Sequence, residues 1–262
     1  MKKFTKLTAL ALALVMALGL LAGCGSSNSD NNTPAGDDAS DAAKTKLVVA
    51  TSPDFPPFES LEGGEVVGIE VDILNKIAEK MGMELDIQQM DFDSVIPGVQ
   101  AGKFDVGMSG ITVTDKRKEN VDFSSVYFMA AQAIVVTADS GITGKADLEG
   151  KKVSVQTGTT AEEYCMGNGY EVLAFTANND AAAALTSGKV DACVVDNEVA
   201  LAMAPELGLT VLDEAMTSEP YAFAFQKGSE LVVPFNEALD ALLADGTVEK
   251  IFQQYGVTYI AP

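Results

Sequence analysis

Histidine is absent from all 262 residues. That removes the commonest general base near neutral pH and the commonest transition-metal ligand. No Ser-His-Asp or Cys-His nucleophile and no histidine-based zinc site can be built from such a chain. Cysteine is scarce, at three residues. Cys165 and Cys193 either pair, if the chain is exported, or act as two small buried hydrophobes. Separation in sequence does not decide between those readings. Basic residues are few as well: 17 Lys and Arg stand against 38 Asp and Glu, for a formal charge of −21. A field of that sign disfavours nucleic acid and bare anionic surfaces, and no basic stripe or base-stacking module offsets it. These gaps exclude histidine-based nucleophiles and zinc sites and disfavour a nucleic-acid partner; no catalytic residue, metal or cofactor is expected.

What the chain does contain begins with Lys2, Lys3 and Lys6, then Leu7 to Ala22, apolar except for Thr8. This is the layout of a secretory signal, too short and wrongly flanked for a stable spanning helix. The junction Leu21-Ala22-Gly23-Cys24 resembles a bacterial lipoprotein processing site. The resemblance implies that residues 1–23 are a signal peptide and that Cys24 becomes the lipidated first residue. The body is then held at the extracytoplasmic face of the cell membrane by its acyl chains alone. Residues 25–46, rich in Ser, Asn, Asp, Ala and Gly, have almost nothing to bury and read, behind the lipidated Cys24, as a flexible spacer.

Beyond residue 46 the apolar share, 47 per cent over the whole chain, is ample for a core. Leu47 to Ala50 reads as a strand, followed by a proline-stiffened loop from Thr51 to Glu59. Helical spacing of Val71, Leu74, Ile77, Ala78 and Met81 predicts a helix over 70–81, stopped by Gly82. Met83, Leu85 and Ile87 alternate as a strand, a helix starts at Asp93, and Phe104 to Met108 is a third strand. Strand, helix, strand, helix, strand is an α/β pattern with parallel pairing. A second unit repeats it: strands at 134–136, 153–155, 172–175 and 190–195, and helices from Thr160 and over 180–187. Ala101-Gly102-Lys103-Phe104-Asp105-Val106 is echoed by Ser187-Gly188-Lys189-Val190-Asp191-Ala192, which suggests two lobes built alike. The chain then returns through Tyr221–Phe225 to helices around 230–244 and 247–254, with Pro234 kinking the first or marking its start. Two crossings, near 128–133 and 218–224, join the lobes as a hinge. The expected division is 47–130 for the first lobe, 131–219 for the second, and 220–262 for the return.

Open α/β sheets bind ligands beyond the carboxyl ends of their strands. That rule gathers Ser52, Phe55, Phe92, Ser109, Gly110, Thr112 and Arg117 from the first lobe, and Gln156, Thr159, Thr160 and Asp196 from the second. These types complement a zwitterion. Arginine offers a rigid fork to a carboxylate, with Thr112 and the Gly110 N–H for the remaining lone pairs. Asp196 can receive an ammonium group, and Phe55 and Phe92 can cover a stem. Thr160 with Glu163 fits a capping box. Each residue also has a plainer reading: Arg117 on a solvated helix face, Asp196 as a helix cap, the phenylalanines as core.

The stretch Gly110-Ile111-Thr112-Val113-Thr114-Asp115-Lys116-Arg117, followed by Val121-Asp122-Phe123-Ser124, resembles the signature of family 3 extracellular solute-binding proteins. Asp54 to Glu59, Phe92 to Pro97, Gln156 to Thr160 and Asp191 to Asp196 fit the same family in the same order, from Leu47 to Pro262. The resemblance implies a bilobed, periplasmic-binding-protein-like α/β fold and a monomer that closes on a free amino acid. It also implies partners: an ABC permease in the membrane and a cytoplasmic ATPase. In such proteins the residue matching Arg117 grips the α-carboxylate, helped by those matching Gly110, Thr112 and Thr159. The match to Asp196 takes the ammonium, and the matches to Phe55 and Phe92 flank the side chain. Many glutamine and basic amino acid binders have aspartate at the Ser52 position, and glutamine binders have lysine at Gln156. Losing both charges suits a polar neutral side chain, or a cation stacked between two rings. The rival readings are a dehydratase of the same fold, for which Glu59 and Glu163 are the only acid or base candidates and lack a paired partner, and a ligand-sensing module.

Overall fold

The computed structural model describes residues 45–262; Cys24 and the spacer up to residue 44 lie outside the described residues. Two five-stranded sheets organise the chain. In the first, the strands run in the order Glu84–Gln89, Lys46–Thr51, Val106–Gly107, Ala224–Gln226, Val121–Phe123. The first three are parallel and the last two enter antiparallel. In the second, the order is Glu171–Phe175, Lys152–Gln156, Ala192–Asp196, Gln132–Val136, Thr210–Val211. Again three strands are parallel and the last two antiparallel to their neighbours. The two sheets share one plan.

Both faces of each sheet are covered, which is why their central strands are near-continuous apolar runs. Leu47 and Val49 pack with Ile73, Leu74 and Ile77 of the helix Ile69–Met81, and with Phe235 and Leu239 of the helix Val232–Ala244. Ala50, facing the other way, meets Val95 and Val99 of the helix Phe92–Gln100. In the second sheet Val153 and Val155 meet Ala161 and Cys165, while Cys193 and Val195 pack toward Ala181, Ala184 and Leu185. Cys165 and Cys193 are buried free thiols. Burial pushes them up to about 12 and about 11, which leaves them without thiolate reactivity.

The echoed turn is reproduced bond for bond. Gly102 and Gly188 have φ of 69° and 71°, and each donates to the carbonyl three residues earlier. Lys103 and Lys189 donate to Gly98 and Ala184. The Asp105 carboxylate accepts the Val48 N–H at 2.8 Å, and Asp191 accepts that of Lys152 at 2.8 Å. The N–H groups of both aspartates return to the carbonyls of those same residues. One local device thus ties the third strand of each sheet to the start of the first.

Several boundaries differ from the sequence reading. The strand expected over 221–225 is two: Glu219–Tyr221 pairs antiparallel with Phe128–Ala130, and Ala224–Gln226 joins the first sheet. The first of these pairs makes the two crossings between sheets into a ribbon. Pro234 falls in the opening turn of Val232–Ala244, where its missing N–H has no intrahelical partner to lose. The proline-rich loop carries a short strand, Asp54–Phe55, within a three-stranded antiparallel sheet with Glu59–Glu62 and Glu65–Val67.

Gly68 fixes how that small sheet meets the helix Ile69–Met81. It adopts φ 140°, and a Cβ there would lie 2.1 Å from the Phe58 carbonyl oxygen. The approach lets the first N–H groups of the helix, on Ile69 and Glu70, donate to the Pro57 and Phe58 carbonyls. Gly68→Ala is expected to destabilise the protein by about 3 kcal/mol or more through strain and overlap, measured as the shift in urea unfolding.

Candidate functional site

The carboxyl ends of the parallel strands of both sheets face one cleft. A cavity there is lined by Phe55, Phe92, Ser109, Gly110, Thr112, Arg117, Gln156, Thr159, Thr160 and Asp196. A second shares Phe55, Gln156, Thr159 and Asp196 and adds Gln132, Ala161, Asn178, Val194 and Val195. Ten of the eleven residues expected from the sequence therefore converge. Ser52 does not line it: it is buried, its hydroxyl donates to Asp54 at 2.9 Å and its N–H to the Ser109 hydroxyl at 3.1 Å.

Arg117 lies on the short helix Asp115–Lys118, whose N-cap Thr114 accepts the Arg117 N–H at 3.1 Å. Its guanidinium donates to the Thr112 carbonyl at 2.9 Å and to the Gly158 carbonyl at 3.1 Å. It also stands 5.6 Å from the centre of the Phe92 ring, within cation–π range. The plainer reading of a solvated helix face is thereby excluded. Burial lowers its pKa, opposed by the charges of Glu163, Glu219 and Asp196; a guanidinium stays protonated regardless.

Asp196 ends the strand Ala192–Asp196 and occupies the N-cap position of Asn197–Leu207, yet makes no capping bond. Its carboxylate instead accepts from the Gln132 side-chain amide and the Tyr221 hydroxyl. Burial pushes it up to about 8, with Glu219 and Glu198 adding to the rise and Tyr221 and Arg117 opposing it. Gln132 and Tyr221 were not picked out in the sequence. A glutamine opening the apolar run Ala133-Ile134-Val135-Val136 was the available signal; nothing in the sequence marks the tyrosine.

Four expectations need correction. The Gly110 N–H does not face the cleft: it donates to Glu70 at 2.9 Å. Glu70 is a fully buried carboxylate at the start of its helix and needs donors, and it takes a second from the Tyr127 hydroxyl. What Gly110 contributes is closeness, since a Cβ there would sit 2.4 Å from the Phe55 ring. The cap of the helix Thr160–Gly167 is Thr159, not Thr160; Thr159 accepts the Glu162 N–H at 3.1 Å, and Glu162 reaches back to the Gly158 N–H at 2.7 Å. Thr160 is freed to accept from Gln132 at 3.2 Å. Gln156 spends its amide on the protein: it donates to Asp54 and Thr176 and accepts from Asn178. Finally, Glu59 does have a carboxylate neighbour. It accepts the Ser109 hydroxyl at 2.9 Å, and burial together with Glu70 raises it well above the usual range. Both carboxylates lie beneath the Ser109-Gly110 floor, outside the cavity walls. Among the described residues no cluster could hold a metal ion.

Asp196 and Glu59 bind their protons more tightly folded than unfolded. The Asp196 contribution to stability is complete below about pH 3.8, its ordinary value, and is lost as pH climbs toward 8; Glu59 acts in the same direction. Unfolding midpoints are expected to fall between pH 5 and pH 8 on the scale of these two groups, and Asp196→Asn should flatten that slope. A midpoint that rises over this range would contradict the burial argument.

Residues 47–258 match the model of the bacterial extracellular solute-binding proteins, family 3. The arginine-binding extracellular protein ArtP of Bacillus subtilis (strain 168) is 36% identical over 243 residues, which is 90% of this chain and 92% of that one. A solved ancestral arginine-binding protein bound to glutamine superposes with a TM-score of 0.77 at 41% identity, over 81% of this chain and 98% of that one. The arginine-, lysine-, histidine-binding protein ArtJ of Geobacillus stearothermophilus also gives 0.77, at 33% identity over 83% and 96%. With its two-sheet, periplasmic-binding-protein-like architecture, the chain belongs to the family 3 bacterial extracellular solute-binding proteins.

Proposed function

We propose that this protein is the substrate-binding subunit of an ABC importer for a polar L-amino acid, neutral or basic. One observation carries the reading: Arg117 and Asp196, contributed from the two sides of the cleft, line the same cavity. Such a pair complements the carboxylate and ammonium of a free amino acid. A ligand bound between the lobes favours the closed arrangement by its differential affinity for it. The lobes are taken as residues 47–130 with 220–262, and 131–219. The closed monomer then delivers its ligand to a membrane permease driven by a cytoplasmic ATPase.

The side-chain preference follows from charge. Among the described residues lining the cleft, Arg117 is the only cation, and the α-carboxylate occupies it. The remaining polar walls are amides, hydroxyls and Asp196, which favour neutral or basic side chains over acidic ones. We take the protein for a receptor rather than a dehydratase because the Glu59 and Glu70 pair sits behind the wall of the cleft. Binding to the twenty amino acids, measured by calorimetry, should show affinity for neutral polar or basic ligands and little for aspartate or glutamate. Arg117→Ala should weaken the preferred ligand about a hundredfold by removing a charge-assisted fork. Unchanged affinity in that variant, or a preference for glutamate, would overturn the assignment.

We further propose that residues 1–23 are removed, that Cys24 is lipidated, and that residues 24–46 tether the body to the outer face of the membrane. The support is the sequence pattern alone. Cys24→Ser is expected to move the protein from the membrane to the soluble fraction. Continued membrane association of that variant would sink the anchor.

A further inference from the structure

The helix Asn178–Thr186 begins without a capping side chain. Its N-cap is Ala177, extended at φ −119° and ψ 148°, and no side-chain bond closes the first turn. The opening N–H groups of such a helix have no intrahelical partner and carry a partial positive charge. The Asn178 N–H is nonetheless paired, at 2.7 Å, with Oδ2 of Asp54. Asp54 stands on the far side of the cleft, in the small sheet beside the first large one. The same oxygen accepts from the Gln156 amide at 3.2 Å, and Oδ1 accepts the Ser52 hydroxyl at 2.9 Å.

Everything around Asp54 serves this contact. Ser52 orients the carboxylate from its own side. On the opposite side, Gln156 is locked by the Thr176 carbonyl at 3.0 Å and the Asn178 side chain at 2.9 Å, so its free donor points at Asp54. Asp54 lines neither cavity of the cleft. The Asp54 carboxylate itself stays clear of both cavities, although its partners Gln156 and Asn178 line one of them, and both bonds vanish if the two sides separate.

We propose that Asp54 is a latch, a carboxylate carried by one lobe that caps a helix of the other only when the cleft is shut. It is a positioning residue: it strengthens binding of every ligand by the same factor, without touching any of them. The proposal rests on the amino-acid-binding reading for its ligands but not for its closure. A charge-assisted cap of this kind sets the size of the effect, about tenfold in the closed-to-open ratio.

The test combines calorimetry with L-arginine and L-glutamine and spin-label distances between Lys80→Cys and Lys189→Cys, one label on each side of the cleft. Asp54→Ala is expected to weaken both amino acids by one common factor of up to about ten and to raise the population at the longer label distance. Asp54→Asn keeps an oxygen for the Asn178 N–H and should recover to within about threefold of the parent. Unchanged affinities and distances in Asp54→Ala would overturn the latch. So would selective loss of arginine in both variants, which would make Asp54 a contact for a cationic side chain. If the parent binds neither amino acid, the transport reading fails while the distances still decide: a wider separation in Asp54→Ala upholds the latch, and an identical one refutes it.

Discussion

Arg117 and Asp196 face one cavity without pairing with each other, and the arrangement depends on that restraint. Arg117 gives its donors to the carbonyls of Thr112 and Gly158. Asp196 takes its donors from Gln132 and Tyr221. Among the described residues no ion pair joins them. A guanidinium and an ionised carboxylate attract strongly at short range where water is excluded, and a side chain free to swing would collapse onto its counterpart. Here each is held by neutral dipoles on a rigid support. Rigidity comes from sheets covered on both faces; it reaches Asp196 through a strand end and Arg117 through a short helix tied back to the Thr112 carbonyl.

The parts of this arrangement that sequence reveals are those with a local cause. Periodicity and glycine stops place the helix Ile69–Met81 within a residue, because its buried face is written at intervals of three and four. The repeated Gly-Lys-x-Asp turn is visible as text, since both copies solve the same local problem with the same side chains. Ten of the cleft residues are found by looking just past the carboxyl end of each parallel strand. The misses have non-local causes. Glu70 claims the Gly110 N–H across 40 positions, and Asp54 reaches Asn178 across 124. Which donor a buried carboxylate finds is decided by packing that no window of sequence displays. The one-residue error at Thr159 has another origin: adjacent threonines offer the same cap, and only the strand's end fixes the register.

The two sheets also divide labour with their shared plan. Each repeats the same strand order and the same aspartate tie at the cleft-distant end. They differ at the end that faces the cleft, where one supplies a guanidinium and the other a carboxyl group. A common scaffold with unlike tips suits a guest whose own two ends are unlike.

Tyr221 occupies both worlds. Its backbone belongs to the ribbon that links the sheets, its ring is fully buried among Phe58, Tyr127 and Phe128, and its hydroxyl serves Asp196. Loss of the hydroxyl alone would remove a partner of Asp196, and loss of the ring would also open the core beside the linkage. A wall can be changed without touching that linkage only at side chains such as Phe92, while the support of Asp196 is tied to the residue that joins the sheets.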